Sequence, residues 1–143
     1  MQQTRRRILC VDDNADIREM LTTLLGIAGY DATPAATVHD ARLYAAAGGF
    51  DLFIIDAMWP PGAGLELCRD LRRRHPHTPV IVYSGDATER HRRDAAEAGA
   101  AACVAKPHIN HLVSAVNRLS SQAAPPKNST TPMVTTMIPP KSM

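Results

Sequence analysis

Short apolar runs alternate with longer amphipathic stretches along the first 120 residues of the chain. A weak run at 30–35 contains Pro34, and proline fits a sheet only at an edge strand. The stronger runs are continuous, as is typical of strands buried on both faces of a parallel sheet, and they lie at 8–11, 52–55, 79–83 and 101–105. The pattern therefore predicts five strands, one of them at an edge.

Amphipathic helices are predicted between these strands. The clearest one follows the first strand, where Asp13 or Asn14 can cap its start and Gly29 suits its C-terminal turn. Its apolar face repeats at a spacing of three and four residues, and it consists of Ile17, Met20, Leu21, Leu24, Leu25 and Ala28. Further helices are predicted at 38–47, 65–74, 88–98 and 109–120. Strands that alternate with helices in this way predict an α/β fold, a doubly wound three-layer sandwich with all strands parallel.

The composition changes after residue 120. Prolines are interspersed with Ser, Thr and Asn, and the last 23 residues contain no Asp or Glu. A stretch with no hydrophobic period cannot bury enough surface to offset its ordering entropy. We therefore expect one domain at 1–120 and a disordered tail at 121–143, with no output domain.

Polar side chains follow the last apolar residue of four predicted strands. They are Asp12 with Asp13, Asp56, Ser84 and Lys106. Sites in doubly wound folds lie at the carboxyl ends of the strands, so these side chains are expected to meet. Carboxylates held together repel one another unless a cation lies among them, and Mg²⁺ favours such oxygen ligands. The pattern predicts a Mg²⁺ site in which Asp56 is a nucleophile towards phosphorus, assisted by the Lys106 charge and the Ser84 hydroxyl.

Each of these residues also has a simpler interpretation. Asp12 and Asp13 could only cap a helix, Asp56 could be a turn residue, and the Ser84-Gly85-Asp86 segment is common in loops. Their joint appearance in this order at the strand ends favours the functional interpretation.

Four motifs resemble the receiver domain of bacterial response regulators, the superfamily of chemotaxis regulators. The motifs are V-D-D-N at 11–14, D-A-M-W-P-P-G-A-G at 56–64, Y-S-G at 83–85 and K-P at 106–107, and the resemblance extends from about residue 5 to residue 120. It implies a flavodoxin-like sheet with strand order 2-1-3-4-5. It also implies a two-component signalling role without enzymatic activity.

The resemblance further implies a role for each motif residue. Asp12 and Asp13 would form the acidic pocket for Mg²⁺, with Asp56 as phosphoacceptor and metal ligand and the backbone carbonyl of Met58 as another ligand. Ser84 would be the switch hydroxyl. Lys106 would pair with the phosphate and precede a cis proline bond, which X-Pro bonds permit at modest cost.

The partners that the resemblance implies are proteins. A sensor histidine kinase or a phosphotransfer protein would donate the phosphoryl group, and a downstream protein target would receive the signal. A homodimer through the fourth helix, fifth strand and fifth helix is compatible with the family. Nucleic acid is not expected, because the acidic and basic residues of 1–120 balance and the net charge of +2 comes from Lys127 and Lys141.

Two alternatives depend on departures from expected patterns. A phosphohydrolase that forms an aspartyl phosphate would carry an acid two residues after its nucleophile, where this chain has Met58. A pseudo-receiver that is never phosphorylated stays open because Cys103 stands where the family usually has an aromatic switch residue on the fifth strand. The complete set of motif residues favours a working phosphoacceptor over both.

The remaining residues have ordinary interpretations. No apolar segment approaches the length of a membrane span or a secretory signal, so a soluble cytoplasmic protein is expected. Trp59 is interpreted as a loop aromatic near the site. The arginine clusters at 5–7, 72–74 and 90–93 are expected to be solvated surface. The cysteines, with no paired spacing, are expected to be buried thiols, and the histidines are expected at the surface, the two sets being Cys10, Cys68, Cys103 and His75, His77, His91, His108, His111.

Overall fold

A parallel five-stranded sheet forms the middle layer of the structure, which is a computed structural model that describes residues 5–58 and 60–122. The strands are β1 (Arg7–Val11), β2 (Asp31–Ala35), β3 (Leu52–Ile55), β4 (Val80–Ser84) and β5 (Ala102–Ala105). The helices are α1 (Ala15–Ile27), α2 (Val38–Ala47), α3 (Ala63–Arg74), α4 (Glu89–Glu97) and α5 (Ile109–Gln122).

The strand order is β2-β1-β3-β4-β5, and every neighbouring pair is parallel. This confirms both the predicted fold class and the order that the family resemblance implies. The edge position predicted from Pro34 is also confirmed, because β2 pairs only with β1. A proline there removes no hydrogen bond from the interior of the sheet.

Two hydrophobic cores lie on opposite faces of the sheet. One contains α1 and α5 residues such as Leu25 and Leu112, and the other contains α2 and α3 residues such as Ala41 and Leu71. The central strands β3 and β4 supply both cores because their side chains alternate between the faces, and all their residues are buried. This double burial is the physical reason for their continuous apolar runs.

Helix caps refine the predicted boundaries. Asn14 rather than Asp13 caps α1, and its side chain accepts a hydrogen bond from Ile17 N at 3.0 Å. Thr88 caps α4 in the same way, so that helix begins one residue later than predicted. The third helix begins at Ala63, two residues earlier than predicted, after the left-handed Gly62.

Two predictions about single side chains are wrong. Cys10 and Cys68 are buried as expected, but Cys103 is only partly buried, because β5 is an edge strand whose residues are mostly half-covered. His91 was expected at the surface but is buried on the inner face of α4.

The predicted tail and Trp59 lie largely outside the described residues. Helix α5 continues to Gln122, two residues beyond the predicted end of the domain, and the rest of the predicted tail, 123–143, is not described. No helix in the described part of the chain is both long and apolar enough to cross a membrane.

Helix α3 approaches the backbone after β3 very closely at Gly64. Its N–H donates a hydrogen bond to the Ala57 carbonyl oxygen at 2.7 Å. A Cβ at this position would lie 2.1 Å from the Asp56 carbonyl oxygen and 2.6 Å from that of Ala57. Only glycine therefore allows α3 to begin against the loop that carries Asp56.

We expect Gly64→Ala to lower the free energy of unfolding by roughly 1–3 kcal/mol, because the backbone must move to admit the methyl group. Gly26→Ala is the matched control, since no atom lies within 4 Å of its added Cβ. This control should raise stability by roughly 0.5–1 kcal/mol through helix propensity. Urea unfolding measures both changes, and a Gly64→Ala protein as stable as the parent would contradict the close approach.

Candidate functional site

The backbone ladder places four polar side chains at the carboxyl edge of the sheet. Ser84 is the last residue of β4, while Asp12, Asp56 and Lys106 directly follow β1, β3 and β5. Asp56 N donates to the Val11 carbonyl at 2.9 Å, and Lys106 N donates to the Ser84 carbonyl at 2.8 Å. Asp12 is tied to β2 in the same manner. These residues therefore continue the sheet, and their positions are set by strand pairing.

The Lys106 ammonium joins two carboxylates at this edge. Its Nζ lies 2.8 Å from Asp12 Oδ2 and 2.9 Å from Asp56 Oδ1. All three side chains are mostly shielded from water, which strengthens the two charge-assisted hydrogen bonds. The lysine thus holds together two like-charged groups that come from different strands.

Three carboxylates are close enough to share a cation. Asp12, Asp13 and Asp56 each offer one oxygen, and these oxygens all lie within 4.8 Å of one another. Asp12 is buried, Asp56 is half-buried and Asp13 is exposed. Lys106 balances one of the three negative charges, so the cluster retains an excess that a divalent cation would neutralise. Oxygen donors with one side open to water suit Mg²⁺, which keeps several of its waters.

Burial and hydrogen bonding act in opposite directions on the charged pair. Burial raises the pKa of Asp12, although hydrogen bonds from Lys106 and from the Asn14 N–H act to lower it. Burial acts to lower the pKa of Lys106, but its hydrogen bonds to Asp12 and Asp56 outweigh this and raise the pKa. The lysine is therefore held firmly in its charged form, while the Asp12 carboxylate is desolvated at a cost.

The loop after β3 turns at Met58, the one residue other than glycine in the described part of the chain with a positive φ, 64°. Its side chain is buried in the core between the sheet and helices α2 and α3. A left-handed conformation is unfavourable for such a residue, so the surrounding packing must hold it. The apolar burial of Met58 keeps its side chain out of the acidic cluster.

The Ser84 side chain contacts the loop after β4. Its Oγ is buried and accepts a hydrogen bond from Asp86 N at 3.1 Å. The Asp86 carboxylate in turn accepts hydrogen bonds from the Thr88 N–H and hydroxyl, which lower its pKa. The structure thus brings Asp12, Asp13, Asp56 and Lys106 together, whereas the Ser84 hydroxyl engages the loop after β4.

Two residues that support the site were not predicted from the sequence. Arg18 Nη1 donates to the Asp12 backbone carbonyl at 2.9 Å, which fixes α1 against the end of β1. Tyr83 is fully buried, and its ring centre lies 5.7 Å from Lys106 Nζ, within the range of a cation–π contact. Neither contact has a local sequence signal, because both depend on distances between separate elements. The Lys106–Pro107 peptide bond is cis, as the family resemblance implies.

The family model of the response regulator receiver domain matches residues 8–117. This match covers every strand end that carries a polar residue. The chain belongs to this family. Receiver domains are signalling modules of two-component systems, and they use Mg²⁺ at an acidic pocket such as the one formed here.

Curated relatives of this receiver domain are longer proteins. The chain is 35% identical over 125 residues to the response regulator protein PilR of Pseudomonas aeruginosa, covering 85% of this chain and 28% of that protein. It is 34% identical to the phosphate regulon transcriptional regulatory protein PhoB of the same species, covering 71% of this chain and 45% of PhoB. The chain therefore spans less than half the length of these relatives.

Solved receiver domains share the fold over nearly their whole length. The chemotaxis protein CheY4 of Vibrio cholerae aligns with a TM-score of 0.75 at 26% identity, covering 81% of this chain and 99% of CheY4. The response regulator TrrA of Thermotoga maritima, solved in complex with Mg²⁺ and beryllium fluoride, aligns with a TM-score of 0.71 at 31% identity, covering 80% of this chain and 98% of TrrA.

The desolvated Asp12 carboxylate predicts a pH-dependent stability. The pKa of Asp12 is higher in the folded protein than in the unfolded chain. Asp12 therefore contributes most to stability at a pH below its unfolded pKa, and this contribution is lost as pH rises through the folded pKa. In metal-free buffer at pH 7 we expect Asp12→Asn to raise the free energy of unfolding, because it removes a desolvated charge that repels Asp56 while Lys106 keeps Asp56 as its partner.

Urea unfolding in the presence of a chelator checks this expectation. Asp13→Asn is the matched control, because Asp13 is exposed and its substitution should change stability less. An Asp12→Asn protein less stable than the parent would show that the ion pair with Lys106 outweighs the burial of the carboxylate.

Proposed function

We propose that this receiver domain accepts a phosphoryl group on Asp56 from a histidine kinase or a phosphotransfer protein. The observation that carries the proposal is the Lys106 ammonium 2.9 Å from Asp56 Oδ1, inside a cluster of three carboxylates at the sheet edge. This arrangement supplies a nucleophile, a fixed positive charge and ligands for a metal ion within one small site.

The proposed transfer uses one carboxylate oxygen of Asp56. Lys106 contacts Oδ1, and we assign Oδ2 to attack the phosphorus. An oxygen–phosphorus bond forms as the phosphorus–nitrogen bond of the donor phosphohistidine breaks, and the released imidazole nitrogen keeps the bonding electrons and takes up a proton. The product is an aspartyl phosphate, whose oxygens need positive charge and hydrogen-bond donors around them.

The residues of the acidic cluster fit a Mg²⁺ ion. Asp12, Asp13, Asp56 and the backbone carbonyl of Met58 would hold it. When bound, Mg²⁺ supplies positive charge that offsets the carboxylates and the phosphoryl oxygens. The three carboxylates carry more negative charge than Lys106 can balance, which supports this assignment. The complex of the Thermotoga maritima relative with Mg²⁺ and beryllium fluoride supports it as well.

Lys106 and Ser84 are the proposed contacts for the transferred phosphoryl group. Lys106 already faces Asp56, so its ammonium needs little movement to reach a phosphoryl oxygen. Ser84 Oγ accepts from the Asp86 N–H, so its own O–H can still donate to that oxygen once the side chain turns towards it. The loop after β4 is attached through this bond and would be drawn along. Phosphorylation would then move the loop after β4, which links the chemistry to the surface of α4, β5 and α5.

The output of this domain is proposed to be binding to another protein. We infer a downstream protein target that reads the surface of α4, β5 and α5, where self-association into a homodimer would also take place. The curated relatives named above continue into sequence that this chain does not match, so their activities are not transferred to it.

We expect acetyl phosphate with Mg²⁺ to add one phosphoryl group to the full chain, as measured by intact mass. Asp56→Asn should abolish the addition because a neutral amide replaces the carboxylate nucleophile. A chelator should abolish it because the negative charges of the carboxylates and the phosphoryl group are no longer offset. Asp31→Asn is the matched control, since Asp31 is an exposed acid at the start of β2, and it should label like the parent.

Two outcomes would contradict the proposal. Equal labelling of the Asp56→Asn protein would place the phosphoacceptor elsewhere. A parent protein that takes up no phosphoryl group from acetyl phosphate or from a phosphohistidine donor would make the domain a pseudo-receiver.

Cys103 bears on how strongly phosphorylation is coupled to the surface of α4, β5 and α5. Cys103 is smaller than the aromatic usual on β5, and it lines a groove of 240 Å³ beside Arg92, which donates to the Cys103 carbonyl. We expect Ser84→Ala to shrink the amide shifts that beryllofluoride causes on α4, β5 and α5. Cys103→Tyr should enlarge them, because a larger side chain couples to the moving loop, whereas Cys103→Ala should leave them nearly unchanged.

Amide NMR with and without beryllofluoride measures these shifts. If Cys103→Ala removed the shifts of the parent, the thiol itself would carry the signal and this account of the coupling would be wrong.

A further inference from the structure

A groove between α2 and α3 takes no part in the proposed phosphotransfer. It has a volume of 470 Å³, within the range of known ligand sites. On α3 it is lined only by the last turns of the helix, from Asp70 onward, whereas the Asp56 loop contacts the first turn at Gly64. The groove is therefore a surface separate from the phosphoacceptor site.

Basic side chains outnumber acidic ones in the lining of this groove. The buried Asp70 carboxylate is paired with three guanidinium groups, those of Arg42 on α2 and of Arg73 and Arg74 on α3. Asp70 is the one acidic residue among the described residues that line the groove. Arg42 and Arg74 line the groove with Asp70, which leaves an excess of one positive charge before His39 and His75 are counted. Arg73 contacts Asp70 but does not line the groove.

Helix capping explains only part of this arrangement. Basic residues in the last turn of a helix are favoured by the helix dipole, which accounts for Arg73 and Arg74. The helix dipole does not account for Arg42, which lies on α2 and places its Nε 3.7 Å from Asp70 Oδ2. Asp70 therefore gathers arginines from two helices at one place.

Part of the groove lining is apolar and open to water. Leu43 lines the groove and is 59% exposed, whereas Leu71 beside it is buried. Leu43 is one of a few large apolar side chains exposed in the described part of the chain. An exposed leucine set among arginines matches an apolar side chain flanked by acids, since each part of such a ligand meets its complement.

We propose that the groove binds an acidic peptide segment of a partner protein, with an apolar side chain against Leu43 and carboxylates on Arg42 and Arg74. Guanidinium groups bind carboxylates in a bidentate manner, and the side chains of Arg42 and Arg74 remain substantially exposed although both contact Asp70. Nucleic acid does not fit this surface, because its phosphate backbone has no apolar side chain to pack against Leu43. The tail of this chain, 123–143, does not fit either, because it contains two lysines and no acid.

The test is an amide NMR titration of the full chain with a synthetic peptide in which two leucines are flanked by glutamates. We expect shifts on α2 and at the end of α3. The double variant Arg42→Ala, Arg74→Ala should weaken binding at least about tenfold, since charge-assisted hydrogen bonds are lost. The matched control is Arg90→Ala, Arg93→Ala, which removes the same charge from exposed positions of α4 and should change affinity by less than about twofold.

A further variant guards against loss of the fold. Leu43→Glu changes an exposed side chain inside the groove, so the protein should stay folded while peptide binding is lost. An unchanged affinity of Leu43→Glu, or an equal loss in both arginine variants, would overturn the proposal.

Two control ligands define the chemistry. A peptide with glutamines in place of the glutamates should bind at least about tenfold more weakly. Equal binding of that peptide would overturn the role of the arginines. If malonate shifted the same amides with the affinity of the peptide, the groove would be a site for small anions and the peptide assignment would be wrong.

Discussion

The lysine bridge between Asp12 and Asp56 is the interaction on which the site depends. Parallel strands bring their carboxyl ends to one edge, so acids that follow two adjacent strands are forced close together. The carboxylates of Asp12 and Asp56 have oxygens within 4.8 Å of each other, so they repel. Their burial adds a further cost in desolvation free energy. Lys106, at 2.8 Å from one carboxylate and 2.9 Å from the other, offsets part of that repulsion while leaving an excess for a divalent cation.

The rest of the fold serves to keep these groups in place. Strand pairing sets the backbone of Asp56 and Lys106, and Arg18 attaches the first helix to the carbonyl of Asp12. Gly64 lets α3 start against the Asp56 carbonyl, where any larger residue would push the loop away. A site built from strand ends is therefore rigid, whereas the Ser84 hydroxyl is bound to a loop residue and could be redirected.

The sequence predicted the sheet and the strand-end residues because both are local signals. A continuous apolar run marks a strand buried on two faces, and the polar residue after it marks the sheet edge. Long-range placement has no such signal. The contact of Tyr83 with Lys106 depends on separate strands, and the burial of His91 depends on which face of α4 is turned to the sheet. The incomplete burial of Cys103 follows from the edge position of β5.

The most direct test uses the scarcity of lysine. The chain has three, and Lys106 is the one before residue 121, so ¹⁵N labelling of lysine gives few ammonium signals. With Mg²⁺ and beryllofluoride, one signal should be protected from solvent exchange and should shift, and Asp56→Asn should prevent the shift, because Lys106 then has no phosphoryl mimic to contact. If none of the lysine signals changed when the mimic bound, Lys106 would not contact the phosphoryl group and its proposed role at Asp56 would be wrong.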